Sequence, residues 1–199
     1  PAGDHWGSLM KVVLDIETQN TFEEAGAYDH TLLKISVIGV YFYETDEYIC
    51  YEEAELPKLW KRLETAGRII GYNTKGFDYN VMNVYYAGDF QTFPSLDLLE
   101  VIAKSLGFRV KLDDVAHATL GHGKTAHGLQ AVEWWKQGKI QEIKDYCLSD
   151  VKVTKEVYEF GKKYVIIRYY DRLGVLHEVP VDFKEKVEAA PNINLTMGF

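Results

Sequence analysis

Apolar residues in the first third of the chain run together without helical spacing, which is typical of strands. The run Val12–Thr18 (VVLDIET) predicts a first buried strand. Three further strands are predicted, at residues 32–44, 47–53 and 68–73. The polar residues 18–30, which follow the first strand, are expected to form a loop.

From residue 56 onward the apolar positions mostly follow helical spacing. Leu56, Leu59, Trp60 and Leu63 share one face of a predicted helix that stops at Gly67, because glycine is a frequent helix terminator. Further helices are predicted at residues 77–88, 95–107, 111–121, 127–138 and from about 140 to 161. The chain then closes with a predicted hairpin over residues 164–181, in which Gly174 suits the left-handed turn position.

This order of elements predicts the fold class, a mixed α/β sheet covered by helices and followed by a C-terminal β-hairpin. With 199 residues, of which 47% are hydrophobic, the chain is long enough for one domain with a sizeable core. We expect that domain to span residues 10–185. Residues 1–9, ahead of Met10, are expected to be an addition before the natural start, and residues 186–199 a loosely held tail.

The net charge of −8 argues against a protein that holds nucleic acid by bulk electrostatic attraction, but it leaves room for a local basic groove or bound cations. No apolar run approaches the roughly 18 residues that span a bilayer, and no signal peptide opens the sequence, so no membrane association is expected. Cys50 and Cys147 suggest no disulfide framework, which makes the reducing cytoplasm the expected location.

Two acidic residues lie at the end of the first predicted strand. Because side chains alternate along a strand, Asp15 and Glu17 point to one face and Ile16 to the other. Two carboxylates held roughly 7 Å apart at a half-buried sheet edge repel each other and lose solvation, which favours a compensating positive charge such as a metal ion. An Asp-x-Glu triplet also occurs by chance, so this interpretation requires other carboxylates to converge on it.

Two more aspartates fall where they could join that pair. Asp78 follows the short strand at 68–73 and begins a predicted helix, where the helix dipole favours an acid. A simple helix cap is the alternative for Asp78. Asp150 and Tyr146 lie four residues apart on the long helix and share its inward face. A Tyr–Asp hydrogen bond on a half-buried helix is the corresponding alternative.

Taken together, these acids match three motifs in a fixed order. Residues 15–17 (DIE) match Asp-x-Glu, residues 73–78 (NTKGFD) match Asn-x-x-x-Phe-Asp, and residues 146–150 (YCLSD) match Tyr-x-x-x-Asp. On these residues the chain resembles the DEDD superfamily of 3′–5′ exonucleases, which have a ribonuclease H-like fold. The third motif resembles the tyrosine subclass, DEDDy, because the histidine variant would need a histidine at position 145, which is Asp145.

The resemblance covers most of residues 11–185. The second motif is similar to that of the proofreading exonuclease domain of family B DNA polymerases. The pattern from residue 95 to the final hairpin also resembles helicase-associated predicted exonuclease domains.

The resemblance implies a metal-dependent 3′–5′ exonuclease that hydrolyses phosphodiester bonds of DNA or RNA and releases nucleoside monophosphates. It implies two Mg²⁺ or Mn²⁺ ions, about 4 Å apart and held by oxygen ligands. Asp15 is expected to bridge the ions, Glu17 and Asp150 to bind the ion that activates water, and Asp78 to act on the second. Tyr146 is expected to orient the attacking water, since a phenol with a pKa of about 10 is a weak general base.

The implied partner is nucleic acid with a free 3′ end, expected to be single-stranded, and a helicase or polymerase is the expected protein partner. Asn73 and Phe77 are expected to line the pocket for the terminal sugar and base, and Thr18 to offer a backbone contact. For Phe77 the alternative is an ordinary core position. Lys124 is expected to face the nucleic-acid backbone, and a plain connection between helices is the alternative for its loop.

Other classes of function remain open at this point. Residues 118–125 (ATLGHGKT) fit a loose P-loop pattern that would make the chain an NTPase, but a P-loop needs a preceding strand, and here a predicted helix precedes it. A non-catalytic nucleic-acid-binding module of the same fold is the main alternative, although a decayed site would usually lose one of its acids. A structure-specific endonuclease can share the fold, but its acids are spaced differently.

Overall fold

The computed structural model describes residues 10–123 and 128–184, and two sheets lie within these ranges. Their strands are β1 (Lys11–Thr18), β2 (Ile35–Phe42), β3 (Glu47–Glu52), β4 (Arg68–Gly71), β5 (Ser95–Asp97), β6 (Ile166–Tyr170) and β7 (Leu176–Pro180). The first five form one sheet in the order β3-β2-β1-β4-β5, and β6 pairs with β7 in an antiparallel hairpin. The predicted mixed sheet and C-terminal hairpin are confirmed.

Strand direction changes in the middle of the five-stranded sheet. β2 pairs antiparallel with both β1 and β3, and a tight turn in which Asp46 has a positive φ of 53° joins β2 to β3. β4 pairs parallel to both β1 and β5. Parallel neighbours run toward the same edge of the sheet, and the pairing of β1 with β4 ends at Val13 and Ile70, so the residues that follow β4 run beside the second half of β1.

Seven α-helices lie in the described ranges. They are α1 (Phe22–Ala25), α2 (Leu56–Leu63), α3 (Asp78–Met82), α4 (Leu98–Leu106), α5 (Leu112–Leu120), α6 (Gly128–Lys136) and α7 (Ile140–Tyr164). The 25-residue α7 packs across β1 and β2 and also contacts α5 and α6. None of the helices in the described part of the chain is both long and apolar enough to cross a bilayer.

The side chains of β1 point alternately to the two faces of the sheet and contribute to a separate apolar layer on each face. Val12, Leu14 and Ile16 belong to the cluster that includes α2 and α3. Val13 belongs to the other cluster, which also takes in α4, α5, α7 and the hairpin. Asp15 and Glu17 are two and four residues after Val13, so their side chains point to the same face of the sheet as Val13, which is the face that α7 covers.

Three elements differ from the prediction. The helix predicted at 77–88 ends at Met82, because the Tyr85 carbonyl accepts a hydrogen bond from Trp60 Nε1 and the Tyr85 hydroxyl accepts one from the Ile35 amide. The helix predicted at 95–107 opens with β5, which pairs with β4. The loop predicted at 18–30 contains α1, which Thr21 and Glu24 cap reciprocally.

Other boundaries agree closely with the prediction. The long helix continues to Tyr164 rather than stopping near Gly161, and Gly174 takes the expected positive φ, at 77°. Residues 1–9 and 186–199, predicted as an addition and a tail, lie outside the described residues.

Candidate active site

Three carboxylates meet where β1 ends beneath α7. One oxygen from each of Asp15, Glu17 and Asp150 lies within 4.8 Å of the other two. Asp15 is half-buried, whereas the exposed fraction is 8% for Glu17 and 1% for Asp150. Burying like charges this close together raises the free energy of the ionised site. A divalent cation among these oxygens would lower it.

A glycine on the neighbouring strand lets α7 approach this site. Gly39 pairs with Asp15 across β1 and β2, and a Cβ atom at Gly39 would lie 2.9 Å from Cys147 Sγ and 3.1 Å from Val151 Cγ2. Any side chain at Gly39 would therefore push α7 away from the sheet. Asp150 is three residues beyond Cys147, so the close approach at Gly39 also sets its distance from β1.

Cys147 connects α7 directly to the backbone of β1. Its Sγ donates a hydrogen bond to the Asp15 carbonyl oxygen at 3.4 Å and lies 3.9 Å from Asp15 Oδ2. Burial raises the pKa of the Cys147 thiol well above its ordinary value, and the neighbouring Cys50 and Asp15 raise it further. The thiol is therefore neutral at physiological pH and adds no negative charge to the site.

The carboxylates open into a cavity of about 310 Å³. Besides the three clustered acids, its lining includes the remaining predicted catalytic residues, Asp78 and Tyr146. It also includes Thr18, Asn73 and Phe77, which were predicted to contact substrate. The other lining residues are Ile16, Asn20, Thr21, Phe22, Leu33, Tyr72, Leu129 and Val132. The cavity thus combines an acidic floor with apolar and aromatic side chains.

Asp78 lies on the same cavity but outside the three-acid cluster. It is the first residue of α3 and is 3% exposed. The three acids therefore offer one compact set of oxygen ligands, and Asp78 offers a further carboxylate from a different element.

Tyr146 and Asp150 occupy successive turns on the inner face of α7, as their spacing predicts. Both are buried, Tyr146 at 4% exposure, and the Tyr146 ring packs edge-on against Trp134 with the centroids 6.1 Å apart. This contact with α6 fixes the direction of the phenol ring.

Asn73 has a positive φ of 65° and presents its side chain at the cavity. Its Oδ1 accepts a hydrogen bond from Arg109 Nη2 at 2.5 Å. With the amide oxygen engaged, the Asn73 Nδ2 group is the part available as a donor to a ligand oxygen. Arg109 was not identified from the sequence.

Phe77 and Thr18 each have a local role in the cavity wall. The Phe77 ring is partly buried against the core and makes edge contacts with Phe22 and His30, at centroid distances of 6.2 Å and 5.6 Å. The Thr18 hydroxyl donates a hydrogen bond to the Asn20 carbonyl at 2.9 Å. Lys124 lies outside the described residues.

The donor set fits a hard divalent cation. Mg²⁺ binds six oxygens at about 2.1 Å in an octahedron, so two ligands of one ion lie about 3.0 Å apart when adjacent and about 4.2 Å apart when opposite. Three oxygens within 4.8 Å of one another can close on one ion with side-chain movements of about 1 Å. Three carboxylates and no His or Cys ligand in this cluster favour Mg²⁺ or Mn²⁺ over Zn²⁺.

Several residues that shape the cavity escaped the sequence reasoning. Gly39 carries no chemical signature, and only its pairing with Asp15 gives it a role. Asp97 was placed inside a helix, although the pattern Asp-x-x-Glu at residues 97–100 is a recognisable helix-start signal. Phe22 and Leu129 come from segments far apart in sequence and meet only in the folded chain.

Comparisons with known proteins agree with this architecture. The family model described as the RNase_H superfamily matches residues 12–160. Among solved structures, a family B DNA polymerase from the hyperthermophilic archaeon Pyrobaculum calidifontis matches with a TM-score of 0.59 and 17% sequence identity. The match covers 79% of this chain and 25% of the polymerase chain, so this chain spans about a quarter of that protein's length. No curated protein matches.

Proposed function

This chain belongs to the RNase_H superfamily, and on that basis we propose that it is a metal-dependent 3′–5′ exonuclease of the tyrosine subclass. Its substrate is DNA or RNA with a free 3′ end, and its product is nucleoside monophosphate. The polymerase with which it shares its fold acts on nucleic acid, which supports the same substrate class here.

The observation that carries the proposal is the meeting of Asp15, Glu17 and Asp150 within 4.8 Å in a cavity that also receives Asp78. These acids come from β1, α3 and α7, which are far apart in sequence. A chain that needed them only for folding would gain nothing from burying like charges together. Hydrolysis of a phosphodiester accounts for the arrangement. The reaction needs concentrated positive charge at the scissile phosphate, and clustered carboxylates can hold the metal ions that supply it.

The acids have three tasks in the proposed mechanism. Asp15 would help to hold both of two divalent ions, Glu17 and Asp150 would complete the site of the first ion, and Asp78 would contribute to the second. When bound, the ions supply a nucleophile at neutral pH and stabilise charge on the leaving oxygen.

The remaining residues orient the reactants. Tyr146, held by Trp134, directs its hydroxyl to the attacking water and acts as a positioning group. The Asn73 amide donates to the terminal sugar, and Phe77 borders the terminal base. Lys124 contacts the nucleic-acid backbone.

Labelled single-stranded DNA and RNA, each incubated with Mn²⁺, with Mg²⁺ or with chelator, test the proposal. We expect mononucleotides to leave the 3′ end of an oligonucleotide labelled at its 5′ end, in the presence of either ion and not with chelator. A duplex with a recessed 3′ end, run in parallel, reports strand preference.

Two results would reject the proposal in different ways. Products from internal cuts would assign the site to an endonuclease. Binding of the oligonucleotides without any hydrolysis, in protein shown to bind Mn²⁺, would assign the chain to the non-catalytic modules.

A further inference from the structure

A buried aspartate joins the loop that carries Asp78 to the start of another helix. Asp97, 4% exposed, is the last residue of β5 and the N-cap of α4. Its carboxylate accepts hydrogen bonds from four backbone amides: Leu99 at 3.0 Å, Glu100 at 3.3 Å, Asn73 at 2.9 Å and Lys75 at 3.1 Å.

Only two of these four bonds are needed to cap a helix. The bonds from Leu99 and Glu100 satisfy the first free amides of α4, as any N-cap side chain does. The bonds from Asn73 and Lys75 come from a different segment, 24 and 22 residues earlier in the chain. A carboxylate is the side chain that can serve both segments, because its second oxygen, Oδ2, receives the Lys75 amide.

The segment held by Asp97 is held in part by its own backbone bonds, in which the Gly76 and Phe77 amides donate to the Asn73 carbonyl at 3.1 and 2.9 Å. Asn73 is strained in the left-handed region, and α3, which begins at Asp78, has five residues and too few hydrogen bonds to be stable alone. A Cβ at Gly76 would lie 2.5 Å from Asn73 Oδ1, so a side chain there would displace the Asn73 side chain. The bonds that Asp97 accepts from this segment therefore add to the few that hold the turn.

The same segment delivers three residues to the cavity, namely Asn73, Phe77 and Asp78. We propose that Asp97 is a positioning residue for the active site: by holding the amides of Asn73 and Lys75 it sets where Asp78 and the Asn73 side chain lie. It touches neither substrate nor metal and acts through this turn. The inference rests on the proposed function for its consequence in catalysis, while the anchoring itself can be measured without activity.

Asp97→Ser separates the two roles of the carboxylate. Serine is as good an N-cap as aspartate, so α4 keeps its cap, but its hydroxyl is too short to hold the turn at residues 73–75 as well. Asp97→Asn is the milder variant, because its amide oxygen can keep the Asn73 bond while its NH₂ group faces the Lys75 amide. Asp171→Ser is the matched control, since Asp171 accepts from the Leu173 and Val175 amides in the hairpin turn and does not line the cavity.

Three measurements are made on the full chain: hydrogen exchange of the residue 73–78 amides, Mn²⁺ affinity by calorimetry, and kcat against KM for nucleic acid. For Asp97→Ser we expect exchange in the turn to rise at least tenfold, Mn²⁺ affinity to fall about 10–100-fold and kcat to fall in proportion. Asp97→Asn should lie between this variant and the wild type, and Asp171→Ser should match the wild type in all three.

The outcomes keep the two proposals apart. Unchanged exchange and Mn²⁺ affinity in Asp97→Ser, or equal losses in Asp171→Ser, would overturn the positioning role. A wild-type protein that binds Mn²⁺ but hydrolyses nothing would reject the exonuclease, and the exchange and affinity data would still decide the role of Asp97.

Discussion

The acidic cavity and the C-terminal hairpin both carry carboxylates, but the two regions arrange them in opposite ways. In the hairpin each acid meets a basic side chain: Glu178 accepts from Arg168 at 2.9 Å, and Asp171 pairs with His177 at 2.8 Å. These side chains are substantially exposed, and such pairs contribute little to stability.

In the cavity the neighbours of a carboxylate are other carboxylates. Glu17 and Asp150 are nearly fully buried, and a carboxylate oxygen of each lies within 4.8 Å of a carboxylate oxygen of Asp15. In the hairpin each acid thus has a basic side chain at hydrogen-bonding distance. In the cavity three carboxylate oxygens lie within 4.8 Å of one another, which costs folding free energy that a bound cation would offset.

Asp15→Asn should have the largest effect on turnover, and that effect should be confined to the cavity. Removal of a shared ligand is expected to lower turnover about a hundredfold or more, because metal ions supply several kcal/mol of transition-state stabilisation. The protein should stay folded, with an unchanged or higher melting temperature in chelator, since one like charge is gone. Turnover and melting are measured on the same preparation. Retained metal-dependent turnover would remove Asp15 from the mechanism.

Divalent ions should stabilise the wild-type protein through the cavity and leave the hairpin unaffected. Mn²⁺ at a hundred times its Kd adds about 2.7 kcal/mol, which raises the melting temperature of a domain this size by about 5–10 °C. Thermal melts with Mn²⁺ or chelator measure the shift. It should vanish in Asp150→Asn and persist in Glu178→Gln, the matched change in the hairpin. A shift that survives in Asp150→Asn would place the ion elsewhere.

Gly39→Ala tests whether the approach of α7 to the sheet assembles the cavity. The new methyl group would meet Cys147 Sγ at 2.9 Å, and overpacking of this kind costs about 1–3 kcal/mol. We expect a lower free energy of unfolding in chemical denaturation and weaker Mn²⁺ binding, because Asp150 moves with α7. Adding Cys147→Ala removes the nearest clashing atom and should restore part of both. Loss of stability with unchanged Mn²⁺ affinity would separate packing at Gly39 from the site.

Local patterns predicted most of the fold. The apolar run of β1 and the apolar faces of the amphipathic helices α2 and α7 are strong signals, because each buries a regularly spaced set of apolar side chains. β5 was missed because a strand of three residues is too short to show an alternation of apolar and polar side chains. It is defined by its pairing with β4, which is a contact between segments distant in sequence. The helix predicted through Gly88 failed because bonds from Trp60 and Ile35 hold Tyr85 in another conformation.

The candidate site shows the same division between local and tertiary information. Asp15, Glu17, Asp78, Tyr146 and Asp150 could be named from three short motifs, and all five line one cavity. Gly39 and Asp97 could not be named as parts of it, because their influence passes through packing against Cys147 and bonds to Asn73 and Lys75. Motifs identify the groups that carry chemistry, while the residues that position them become visible only in the fold.

The smallest expected effect is on the stability of the hairpin, and it depends on pH. A hydrogen bond from His177, together with the amides of Val175 and Leu173, lowers the pKa of Asp171 below its ordinary value. A carboxyl with a lowered pKa in the folded state stabilises the protein above the unfolded-state pKa of about 3.9, and this contribution is lost as the pH falls through the lowered value. The part of the hairpin's stability that comes from the lowered pKa of Asp171 should therefore fade only in strong acid.

Asp171→Asn keeps an acceptor for the two amides and removes the charge. Its melting temperature at pH 7 should lie within about 1 °C of the wild type, because exposed pairs contribute little. The wild-type amide signals of Leu173 and Val175 should titrate in strong acid and those of the variant should not, while Mn²⁺ stabilises both proteins equally. If this change in the hairpin weakened Mn²⁺ binding, the charges of the two regions would be coupled, and the cavity could no longer be treated as electrostatically separate from the hairpin.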